Sequence, residues 1–170
     1  MDTSNKIDHT DKKKILGYMS EITQDYGKAL DYWKDYVTTR PPSDNDQTPF
    51  REAIKILINS QSDKPVFFEL LRKHVQWMSR GLSTLQKLFA EMRVDTIKPE
   101  MILEKLKELQ GSPDYDLILE NFYNTMIRVH KRRSEQFHTD LAKIYLQKAL
   151  KGVPGAQEEF RYFIRDPTSW

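Results

Sequence analysis

The chain contains no cysteine, which excludes disulfides, thiolate metal sites and cysteine nucleophiles. Its six glycines are scattered, so no phosphate-cradling loop or dinucleotide fingerprint can be assembled from them, and no serine-nucleophile motif is present. Long apolar runs are also missing. The longest, such as Ile56-Leu57-Ile58, fall far short of the ~20 residues that span a bilayer. Neither sign of charge dominates: 27 Lys and Arg face 25 Asp and Glu, leaving no global field that would argue for nucleic acid or an acidic membrane. Met1 to Lys14 is polar and charged, unlike a signal peptide, and a cytoplasmic protein is the expectation.

What is present is helical periodicity. At 170 residues the chain is long enough for one domain with a real core. Residues 1–11 read as a flexible tail and 12–170 as a single domain, with 152–170 a mobile C-terminal segment. From Lys12 to Thr38 the apolar positions Ile15, Met19, Ile22, Tyr26, Ala29, Trp33 and Tyr36 alternate by four and three, a heptad seam that asks for a partner helix. A Pro, Ser, Asp and Asn-rich loop follows. Thr48 and Pro49 then start a helix bearing Phe50, Ala53, Ile54, Leu57 and Ile58 on one face. Pro65 opens a third segment reaching Arg93, with a stripe broad enough for neighbours on two sides and Gly81 inside it. A short helix covers Pro99 to Gln110.

The stretch from Ser112 to Lys151 is the expected spine. Gly111 closes what precedes it, and Ser112 and Pro113 suit a helix start. Tyr115, Leu119, Phe122, Met126, Val129, Phe137, Leu141 and Ile144 recur at helical spacing; unbroken, this helix would be roughly 60 Å long. After Gly152-Val153-Pro154-Gly155 comes a last short helix with Phe160, Phe163 and Ile164. The fold class is all-α, an antiparallel helical bundle of three long and about three short helices.

Few residues suggest chemistry. Glu135 and His138 have the spacing with which a bundle helix offers a carboxylate and an imidazole to a metal, but a di-iron site needs two such motifs and two further glutamates. His74, on an apolar stripe, reads as a hydrogen-bonded core histidine. No catalytic residue, metal or cofactor is expected. In the middle of the spine the seam lapses at Arg128-Val129-His130-Lys131-Arg132-Arg133. Arg128, Lys131, Arg132 and Arg133 form either a solvated band or an anion-binding patch for phosphate or an acidic protein face. Arg133 falls where an apolar residue is due. Two aromatic groups, Tyr32, Trp33 and Tyr36 in the first helix and Phe160, Tyr162, Phe163 and Trp170 near the C-terminus, are candidates for a partner surface.

Amphipathic helices with Tyr and Trp near their ends make the chain similar in composition to phasins and accessory subunits of polyester synthases. The similarity assigns no role to any single residue. It implies, as an alternative, a coat or accessory subunit at a hydrophobic polymer or lipid surface. The residues themselves lead first to a non-catalytic accessory, adaptor or scaffold subunit that acts through protein–protein contacts, with a protein partner and a homodimer expected. A nucleic-acid binder using residues 128–133 is a further alternative.

Overall fold

The computed structural model describes residues 9–22, 25–39, 47–132 and 134–165. Among them every regular element is helical and none is a strand, as the periodicity predicts. The elements are α1 (His9–Ile22), α2 (Tyr26–Thr39), α3 (Thr48–Asn59), α4 (Lys64–Met78), α5 (Leu82–Glu91), α6 (Pro99–Leu106), α7 (Tyr115–Arg128), α8 (Glu135–Leu150) and α9 (Ala156–Arg165), with 3₁₀ turns at Ser60–Ser62 and Lys107–Leu109. Contacts divide the chain into two compact units, 1–108 and 109–170, a division that the apolar pattern does not mark.

Each of the three long helices expected from the periodicity is interrupted. The first begins at His9, three residues before Lys12, and ends at Ile22. A new helix then starts because Asp25 caps it: its Oδ1 accepts the Lys28 N–H at 3.3 Å and its carbonyl accepts the Ala29 N–H at 3.0 Å, which satisfies donors that an N-terminus leaves orphaned. α2 runs back along α1, with Lys13 Nζ 3.5 Å from Asp35 Oδ2. The seam is therefore not continuous. Ala29, Trp33 and Tyr36 are buried, whereas Ile15 and Met19 are 49% and 57% exposed. The face of α1 turned towards α2 carries Gly17 instead, where an added Cβ would stand 3.1 Å from the Trp33 indole.

α3 forms where Thr48 and Pro49 predict it and buries Phe50, Ala53, Ile54 and Leu57; Ile56 is buried as well. It packs on α2, α4 and α5, and α4 also meets α6. The third long segment breaks at Gly81. The Gly81 N–H donates to the Met78 carbonyl at 2.9 Å, and the Gly81 carbonyl accepts from Thr84 and Leu85, so one helix closes and another opens on the same residue. A Cβ at Gly81 would lie 2.7 Å from Cβ and Cγ of Phe50 and from Thr84 Oγ1. Only a residue without a side chain lets the chain pass so close to α3.

A buried amide ties this unit together. Gln61, 2% exposed, donates through Nε2 to the carbonyls of Ile58 (3.1 Å) and Glu91 (3.4 Å), and its Oε1 accepts the Arg93 N–H. The end of α3 is thus bonded to the end of α5. Gln61→Met keeps the volume and removes these bonds, leaving partly buried backbone groups without their partner; a loss of about 1 kcal/mol is expected, read as a lower urea midpoint at unchanged slope.

In the second unit the spine is two antiparallel helices. α7 ends at Arg128, the Arg132 N–H turns back to the Met126 carbonyl at 2.8 Å, and Lys131 takes a left-handed φ of 56°. Ser134 then caps α8, its Oγ accepting the Phe137 N–H at 3.1 Å. Across the hairpin Tyr123 donates to Asp140 Oδ2 at 3.2 Å, Asn124 bonds Tyr145, and Lys148 Nζ lies 3.3 Å from Glu120. At the far end of α8 the N–H groups of Gly152 and Val153 donate to the carbonyls of Ala149 and Lys148. This is a Schellman ending, for which Gly152 supplies the required φ of 75°. α9 then returns along α8.

Candidate interaction surfaces

The first aromatic group is mostly interior. Trp33 is fully buried and Tyr36 is 2% exposed. Tyr18 meets the indole edge-to-face at 4.8 Å, and Tyr36 does so at 5.9 Å. Tyr32 is half-buried, with Lys13 Nζ 5.5 Å above its ring. Trp33 and Tyr36 thus have almost no surface to give to a partner in this conformation. The indole Nε1–H donates to Glu21 Oε2 at 3.3 Å.

The C-terminal group divides. Phe163 is buried, stacked on His138 at 4.3 Å between ring centroids and edge-on to Tyr145 at 5.3 Å. Phe160 is half-buried, whereas Tyr162 is 62% exposed and Ile164 is also exposed. The expected common face of Phe160, Phe163 and Ile164 therefore buries only Phe163 fully. Trp170 and Arg133 lie outside the described residues.

The basic band is a turn rather than a face of a helix. Arg128, Lys131 and Arg132 are exposed, and Arg128 Nε donates to Asn124 Oδ1 at 3.2 Å. The lapse of the seam after Val129 marks the end of α7, and Val129 itself is exposed. Glu135 stands exposed in the first turn of α8 while His138 turns to Phe163. Burial holds the His138 imidazole below its ordinary range, partly offset by a hydrogen bond with the Phe163 backbone. Among the described residues no three His, Asp or Glu side chains gather to hold a metal ion.

His74 is buried as expected, 1% exposed, but its environment differs. Neither ring nitrogen has a hydrogen-bond partner, and Nε2 stands 3.7 Å from Asp31 Oδ1. Burial pushes its pKa down to about 4; Asp31 opposes the shift, and Lys73 and Lys34 add to it. It is neutral near pH 7 and packs against Trp77.

A further apolar feature of the second unit is open on α8. Leu146 and Leu150 are 40% and 79% exposed one turn apart on α8, and Val153, 40% exposed, follows the left-handed Gly152 just beyond the helix. The two leucines form a second stripe beside the buried Leu141, Ile144 and Tyr145. Its signal is in the sequence: α8 carries more apolar positions than one packed face needs. In the first unit Ile15, Tyr18 and Met19 are exposed together on α1. Among the described residues no helix is long and apolar enough to cross a membrane. The chain matches no family model, no curated protein and no solved structure.

Proposed function

We propose that this chain is a non-catalytic adaptor or scaffold subunit of the cytoplasm, working through protein–protein contacts of its amphipathic helices. The observation that carries the reading is the open apolar pair Leu146 and Leu150 on α8, of which Leu150 is 79% exposed. Its spacing is that of a helix laid into an apolar groove, and exposed apolar patches of this kind mark sites of association.

The test is the double change Leu146→Glu and Leu150→Glu in the full chain. Leu150 is 79% and Leu146 40% exposed, so helical content should stay close to that of the parent and the melting temperature should fall by no more than a few degrees. Chemical cross-linking in cells should lose the parent's partner band in the variant, and sedimentation equilibrium of both proteins shows whether that partner is a second copy. An unchanged cross-linking pattern would remove this stripe from consideration. Ile15 and Met19 on α1 favour a second reading, self-association through the first hairpin, which would survive the double change.

A further inference from the structure

We infer that Glu21 and Glu52 hold a single proton between them, and that this shared proton fastens the last turn of α1 to α3. The two carboxyls meet in the first unit with too few donors. Glu21 Oε2 accepts from the Trp33 indole, but Glu21 Oε1 and Glu52 Oε2 are both buried without a hydrogen-bond partner. Lys55 Nζ stands 3.7 Å from Glu52 Oε2 with most of its own side chain in solvent, too far for a good hydrogen bond. Two ionised carboxylates pressed together in a partly buried place repel each other. One proton removes the repulsion and supplies the missing donor, with the neutral carboxyl donating its O–H to the other carboxylate.

The groups that face Glu21 come from two helices. From α2 it is the Trp33 indole, and from α3 they are Glu52 and Lys55. Burial is the largest influence, then the hydrogen bond and charge of Glu52; Trp33 and Lys55 oppose them, and the Glu21 carboxyl is pushed up to about 7. Because the two carboxyls share the proton, the titration belongs to the pair. On the α3 side Glu52 and Lys55 border a groove of about 350 Å³ with Arg51, Lys87 and Glu91.

The direction of the pH effect is the reverse of the usual acidic side chain. In the unfolded chain Glu21 returns to its ordinary value of 4.5. Between about 4.5 and about 7 the folded protein therefore keeps a proton that the unfolded chain has released. Stability falls as pH rises through that window and stays at its lower level above it. On the acid side of neutrality the latch is closed. On the alkaline side the C-terminal turn of α1, with the Trp33 indole beneath it, is loosened.

The experiment compares the full chain with Glu21→Gln and Glu52→Gln. A glutamine at position 21 donates through its amide at every pH, standing in for the protonated acid. The melting temperature of the parent should fall by several degrees relative to Glu21→Gln between about pH 5 and about pH 8, and the two should converge on the acid side. The Trp33 indole N–H resonance, assigned by Trp33→Phe, should titrate with a midpoint near pH 7 in the parent and stay flat in Glu21→Gln. A midpoint near the ordinary carboxyl value, or parallel melting curves, would overturn the proposal. So would stabilisation by millimolar Ca²⁺ or Mg²⁺ at alkaline pH that either Gln variant abolishes, since a cation rather than a proton would then join the two carboxylates.

Discussion

Gly81→Ala is expected to lower the unfolding free energy by about 2–3 kcal/mol, at the upper end of what overpacking costs. The added methyl would sit 2.7 Å from Cβ and Cγ of Phe50, and neither atom is the loose end of a flexible chain. Phe50 Cβ is fixed to the α3 backbone, and the ring is pinned against Trp77 at 5.4 Å. Relief therefore requires α3 or the α4–α5 corner to move, with loss of contacts in a filled core. Gly27→Ala is the matched control: nothing lies within 4 Å of the Cβ position there, and it is the second residue of α2. Alanine at that site, in the first turn, should change stability by no more than about 0.5 kcal/mol. Urea unfolding of the two variants measures both effects. If Gly81→Ala unfolds no more readily than the parent, the corner is not held by contact with Phe50.

These two glycines show where the sequence is legible and where it is not. The helices are written in local spacing, and α3 follows its pattern of Phe50, Ala53, Ile54 and Leu57, apolar positions that recur at helical spacing. The corners depend on distant ones. Gly81 bends the chain against Phe50, far earlier in the sequence, so Gly27 and Gly81 look alike until α3 is in place. Gly17 carries the same lesson in the first hairpin. A pattern of apolar positions counts Ile15 and Met19 as the contact face and passes over a glycine. Yet the missing Cβ of Gly17 makes the slot for the Trp33 indole, and a slot for a large ring outweighs two aliphatic side chains. The stop after Arg128 was partly readable: a seam that lapses into Arg, His and Lys is ending its helix. The expectation of one unbroken spine passes over that stop.

Candidate surface residues divide in the same manner. Composition flags Trp33 and Tyr36 as interface-like aromatics, but aromatic content cannot distinguish an interior edge-to-face cluster from a recognition surface, because the same large apolar area serves both. Leu146 and Leu150 were readable from helical spacing, since they lie on a different face from Leu141 and Ile144. The Glu21–Glu52 contact had no local signal at all. Its two members sit on different helices, α1 and α3, and no periodicity within either announces it.

Phe163→Ala should be the most damaging single change in the second unit, at about 3 kcal/mol, the lower part of the range for a buried phenylalanine. α9 is ten residues long, too short to persist without tertiary support, and its buried residues are only Ala156 and Phe163. The alanine contributes little area, so the phenylalanine ring, held between His138 and Tyr145, is what attaches the helix to α8. Removing it strips the cover from both rings and frees Gly152 and Gly155 to act as a hinge. Tyr162 is the neighbouring residue and the opposite case: 62% exposed, its replacement by alanine should change stability by no more than about 0.5 kcal/mol. Removing residues 154–170 should resemble Phe163→Ala, with a melting temperature lower by several degrees. Thermal unfolding of the three variants separates a structural α9 from one that waits for a partner. Were Phe163→Ala and the truncation as stable as the parent, α9 would not be held by α8 in solution, and its apolar face would be available for another protein to cover.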